Sequence, residues 1–124
     1  PRFFDATAFN SRGFYDEVAG AARYGQKLAV ASGCDVQLTV AGGNYALSQR
    51  QNCDDHGSTF NRPVLQPTGG DSFSGSAPSG VTLVSSEPSV VFDARGSASP
   101  AGVVVTIDGR SFTIVGESGY VDTP

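Results

Sequence analysis

The chain has 124 residues, with eight basic and twelve acidic side chains giving a net charge of −4, and is 39 % hydrophobic and 16 % charged. That length fits one domain with one modest core, and 16 glycines with 7 prolines point to short strands and many turns. Lys27 is the only lysine, and the acidic balance argues against a nucleic-acid partner, which is held by clustered cations on phosphates.

No run of eighteen apolar residues occurs, so nothing within the chain reads as a membrane span. No signal peptide is visible. The chain lacks methionine and begins at Pro1, so a further N-terminal segment is expected upstream of it.

The first predicted element is a helix from Ser11 to Ser32. Small or apolar residues recur at Phe14, Val18, Ala21, Gly25, Leu28 and Ser32, alternating steps of four and three that keep one stripe on one face. Ala22 and Ala29 widen the stripe. Asn10 or Ser11 is the expected N-cap, Asp16 and Glu17 suit the positive end of the helix, and Gly33 suits a left-handed stop. A stripe this rich in alanine and glycine calls for a close neighbour. Pro1 to Phe9 reads as an earlier helical piece whose Phe3, Phe4 and Phe9 either pack locally or meet neighbouring helices.

A hairpin follows. Val36, Leu38 and Val40 alternate with Asp35, Gln37 and Thr39, and Tyr45 and Leu47 continue the alternation beyond the Gly42-Gly43 turn. A four-residue loop from Gly42 to Tyr45 sets residue 34 opposite residue 53. A Cys34–Cys53 disulfide, closing eighteen intervening residues, is therefore expected over two buried free thiols. Such a bridge stabilises by about 3 kcal/mol.

Residues 54–80 read as a loop, rich in glycine, proline and aspartate, with Phe60, Val64, Leu65 and Phe73 as its apolar anchors. Short strands are then predicted at 81–84, 89–93, 103–108 and 111–115, with Asp108-Gly109 as a type I′ turn and a bend at 116–119 before Tyr120 and Val121. One helix followed by a hairpin and an antiparallel meander is an α+β order.

Three stretches carry a resemblance. GFYDEVAGAARYGQKLAVASGCDVQLTV at 13–40, VVFDARG at 90–96 and IDGRSFTIVGESGYV at 107–121 are similar to the helix-to-strand junction, closing hairpin and glycine-marked tail of the GspH/FimT family of type IV pseudopilins and minor pilins. The opening PRFFDATAF followed by GFYDEV further resembles minor pilins of mannose-sensitive haemagglutinin systems. The resemblance implies a single domain over 1–124. Residues 1–33 would be the C-terminal half of a pilin helix whose apolar half sits in the inner membrane, and residues 34–124 a periplasmic β-domain with the 54–80 loop. It implies a structural subunit at or near the tip of a type IV pilus or type II secretion pseudopilus, partnered by other pilin subunits. The family's cleavage site and the glutamate after it are not in this sequence, so no residue inherits those roles. The alternative is a secreted ligand- or glycan-binding module with no filament role.

Chemistry in the sequence is sparse, and no enzymatic activity is expected. Asp54, Asp55, His56 and Ser58 are the most reactive-looking group, yet no rigid nucleophile turn accompanies them, and a solvated loop is the simpler reading. Asp54, Asp55 and Asp71 lack the alternation of a calcium loop, and one histidine is too few for zinc. Arg50, Arg62, Arg95 and Arg110 are dispersed, so no DNA binding is expected. No phosphate loop, cofactor, metal or small-molecule ligand is expected.

Overall fold

The computed structural model describes residues 6–124, with side chains described from Phe9 onward. Residues 1–5, including Phe3 and Phe4, lie outside the described part. The elements in chain order are α1 (Ala6–Ser32), β1 (Val36–Ala41), β2 (Asn44–Gln49), β3 (Arg62–Pro63), β4 (Ser74–Ser76), β5 (Leu83–Ser85), β6 (Ser89–Phe92), β7 (Ala98–Ser99), β8 (Val103–Ile107), β9 (Arg110–Ile114) and β10 (Val121–Asp122).

The helix starts earlier than the capping residues suggest. Ala6 to Phe9 holds neither glycine nor proline, so the helix runs through Asn10 and Ser11, and neither caps it. Asp16 and Glu17 consequently sit inside α1, whose first turn carries no acidic side chain. The stop is at Gly33, with φ of +70°, whose N–H donates to the Ala29 carbonyl at 2.9 Å.

The β1–β2 hairpin turns on two residues. Ala41 pairs with Asn44 and Val36 with Gln49, while Gly42 and Gly43 take φ of +60° and +79°, the type I′ geometry that matches strand twist. This corrects the four-residue loop expected from the cysteine spacing. In the observed register residue 34 falls level with residue 51, not 53.

The strands form two sheets, where the sequence suggests a hairpin and a simple meander. One sheet has the order β3-β2-β1-β6-β7, with β4 also on β2, and the other has the order β10-β9-β8-β5. The chain switches sheet between β5 and β6: β5 lies on β8, and β6 lies on β1 with Val36 opposite Phe92. Besides β3 and β4, two further strands absent from the sequence reading, β7 and β10, close one edge of each sheet. They are two residues long, too short to show a period.

Inward residues of both sheets meet α1 in one core. Val36, Leu38, Leu47, Phe92, Val105, Ile107, Phe112 and Ile114 are all buried. Residues 60–76 are a strap and not a free loop. Val64 and Phe73 are buried, and both hydrogen-bond to Leu47 of β2. Phe60 stays half-exposed and Leu65 exposed, so only two of the four expected anchors reach the core. Among the described residues no helix is long and apolar enough to cross a membrane.

Candidate functional site

The molecule offers a helix seated on its sheets, a stapled polar loop and an outward helix face. On the seated side Phe14, Val18 and Ala21 are buried, Gly25 is buried, and Leu28 is half-buried against the core. Gly25 marks the closest approach. A Cβ there would lie 3.1 Å from Leu47 Cδ2 and 3.3 Å from Val36 Cγ1, so a side chain at this position crowds both neighbours, and they must give way to admit it. Tyr15, Ala19, Ala22 and Ala29 are buried too, because a 3.6-residue helix against two sheets needs a broader stripe than a single seam.

At its upper edge the seat is polar. Tyr45 Oη donates to Glu17 Oε2 at 2.5 Å. Burial, and then the Glu17 carboxylate, raises the Tyr45 phenol far above its usual range. Gly75 of β4 leaves room for this pair, since a Cβ there would sit 2.7 Å from Glu17 Oε2 and 2.9 Å from the Tyr45 ring.

The disulfide joins Cys34 to Cys53 with Cα atoms 4.9 Å apart. Cys53 is two residues beyond the position level with residue 34, and the turns of 51–57 carry it back. Beside it lies Asp35, the one buried charged side chain among the described residues, 5 % exposed. Its Oδ2 accepts from Arg50 Nε at 2.7 Å and from His56 Nδ1 at 3.0 Å. Burial pushes this carboxyl up, but the hydrogen bonds from Arg50 and then His56 more than offset it and hold it below the ordinary aspartate value. Arg50 Nη1 also donates to the Ser58 carbonyl at 2.8 Å, and its guanidinium lies 4.3 Å from the centre of the Phe60 ring. Arg62 spans the staple, its Nη2 3.0 Å from Cys53 Sγ and 3.3 Å from Cys34 Sγ.

The reactive-looking group of the sequence is thus divided. His56 turns to Asp35, while the Ser58 hydroxyl donates to the carbonyls of Asn52 and Asp55, so the two do not form a nucleophile and its base. Asp71 lies in a separate turn, where its carbonyl accepts from Gln66 N–H. Among the described residues no group of three metal-ligating side chains stands together. Arg50 and Arg62 serve the stapled loop, Arg95 pairs with Asp93 at 3.5 Å, and Arg110 lies over Tyr15 near the other end of α1.

The Asp35–Arg50 pair was hidden from sequence by the hairpin register. With a two-residue turn, residue 35 lies level with residue 50, and the opposite charges become cross-strand neighbours. The Glu17–Tyr45 contact had no sequence signal, because 28 residues separate them.

Beside the strap, α1 borders an open groove of about 600 Å³. Gly20 is at its edge, Tyr24 and Phe73 stand together with ring centres 5.5 Å apart, and Gln66 and Pro67 of the strap form the other wall. Asp16, Glu17, Arg23 and Lys27 ring it with both signs of charge.

Residues 15–119 match the family described as type II transport protein GspH. No curated protein sequence matches the chain. Among solved structures, the type IV minor pilin FimU of Pseudomonas aeruginosa is similar, with a TM-score of 0.63 and 12 % identity over 88 % of this chain and 84 % of that one. The minor pseudopilin EpsH from the Type 2 Secretion System of Vibrio cholerae is similar with a TM-score of 0.61 and 14 % identity, over 97 % of each chain.

Proposed function

The chain belongs to the GspH family, type II transport proteins of the minor pilin and pseudopilin kind with a type IV pilin-like fold, and on that footing we propose that it is a structural subunit at or near the tip of a type IV pilus or type II secretion pseudopilus. Membership implies assembly with other pilin subunits at the cell envelope. The observation that carries the reading is the family match over 15–119 on a single long helix whose seated side is spent on its own β-domain.

In this reading residues 1–33 are the C-terminal half of a longer pilin helix, and residues 34–124 are the β-domain. The helix continues upstream into an apolar segment that holds the subunit in the inner membrane before assembly. Support comes from the start of α1: Phe9 to Gly13 includes no buried residue, and Phe14 is the first of the described side chains seated on the core. The helix therefore projects past its sheets on that side. The work is assembly without turnover, and His56 belongs to the staple and not to a catalytic pair.

The test is the full-length gene and its product. An apolar stretch of about twenty residues is expected upstream, and the protein is expected in the filament fraction sheared from cells. A gene with an ordinary cleaved signal and a protein found only free in the medium would instead support a secreted binding module.

A further inference from the structure

The two ends of the staple differ in access. Cys34 is 1 % exposed. Cys53 is half-buried and stands in the wall of an open depression of about 630 Å³, between the turns of 51–58 and Arg62. Thiol exchange begins when a thiolate attacks one sulfur of the bond, and access decides which one. A thiolate arriving from solvent therefore meets Cys53 Sγ, and Cys34 Sγ lies behind it as the leaving group.

A cation is already in place beside that leaving group. Arg62 Nη2 donates to Cys53 Sγ at 3.0 Å and to Cys34 Sγ at 3.3 Å. Its position is fixed twice, by pairing of Arg62 with Gln49 of β2 and by the Nε–H donated to the Arg50 carbonyl at 2.7 Å. Among the described residues Arg62 has no carboxylate partner: Arg50 and His56 share Asp35, and Arg95 takes Asp93. Asp55, the acid of the same depression, accepts instead from the Gly57 N–H at 2.8 Å. Sulfur in an intact disulfide is a weak acceptor, whereas a thiolate is a full anion that a neighbouring guanidinium favours. A cation held on a neutral bond thus suits the anion that appears when the bond opens.

We infer that Cys53 is a site of reversible thiolation by small thiols, with Arg62 stabilising the Cys34 thiolate that is released. The incoming thiolate gives its electron pair to Cys53 Sγ. The bond between the two cysteines breaks, its pair leaves on Cys34 Sγ, and the thiol is joined to Cys53 as a mixed disulfide. No electron is gained or lost overall. In reverse, the Cys34 thiolate attacks Cys53 Sγ, the staple closes and the small thiol departs. The depression is large enough for a thiol of tripeptide size. This site goes beyond the assembly reading and does not depend on it.

Two measurements test the inference on the oxidised chain, with glutathione as the probe. In the first, the early reaction is quenched in acid, free thiols are alkylated, and the peptides are mapped. Glutathione is expected on Cys53 and the alkyl group on Cys34, at least about tenfold over the reverse pattern. Equal labelling, or an excess on Cys34, would overturn the assignment of the site. In the second, the rate of opening is followed against glutathione concentration. Arg62→Gln is expected to slow it about fivefold, and Arg62→Lys, which keeps the charge, to restore most of that loss. A faster opening in Arg62→Gln would make Arg62 a shield over the bond and overturn its part, as would an unchanged rate. Arg62 is exposed, so both variants are expected to keep the fold; the mapping on the unsubstituted chain decides the site whether or not they do.

Discussion

The seat beneath α1 and the stapled strap from Arg50 to Ser76, which joins the disulfide loop to residues 60–76 along the edge of β2, are held by different physics. The seat is apolar and tight: Val36, Leu47 and Phe92 close on Gly25, and burial at about 25 cal/mol per Å² does the work. The strap has little to bury beyond Val64 and Phe73. It is held by a covalent staple, a buried carboxylate shared between Arg50 and His56, and backbone bonds to the edge of β2. A polar segment thus reaches order through a few strong specific links, while the seat spreads its stability over many weak ones. Damage to the first is local and chemically defined; damage to the second is global.

The sharpest way to break that contrast is to open the seat. Phe92→Ala, at a fully buried position, is expected to cost about 4 kcal/mol and to lower every probe of unfolding in urea together. A variant that loosens only part of the domain would show that the seat is not one cooperative unit. Cys34→Ser with Cys53→Ser is expected to cost about 3 kcal/mol, by freeing the unfolded chain. Hydrogen exchange should then rise first in 50–60, and a uniform rise across α1 would erase the distinction drawn here.

Asp35→Asn is expected to cost about 2 kcal/mol at neutral pH, because Arg50 is left in a nearly closed site without its anion. The sign of its pH dependence follows from the depressed folded pKa. The Asp35 contribution is present above the ordinary aspartate value of 3.8 and is lost as pH falls below it through the folded value. Acid unfolding of Asp35→Asn should therefore be shallower below about pH 4, and an unchanged acid limb would remove Asp35 from the account. The smallest effect belongs to Gly25→Ala. Crowding against Leu47 and Val36 outweighs the gain in helix propensity, and a net loss of about 1 kcal/mol is expected; a gain would mean that the seat relaxes more easily than its spacing suggests.

Legibility in the sequence follows the same division. The 3–4 stripe of α1 and the alternation of β1 and β2 are repeated signals, and the elements appear where those signals lie. The two-residue turn was also on view at Gly42-Gly43, but the cysteine spacing pulled the reading two residues out of register and concealed Asp35 opposite Arg50. The strap was legible only as a loop. Its strands are two and three residues long, and what orders them is the bonding edge of β2, a neighbour that local composition does not encode. The split into two sheets was likewise invisible, since β5 and β6 are separated by only three residues and choose different partners.

Every strand bounding the two sheets, β3, β4, β5, β7 and β10, is two or three residues long. Rims so short offer a foreign strand almost no ladder to extend, the usual safeguard against runaway fibre growth. A protein whose vocation is polymerisation has therefore closed the backbone route to it, leaving side-chain surfaces to decide which neighbours are admitted and when growth ends.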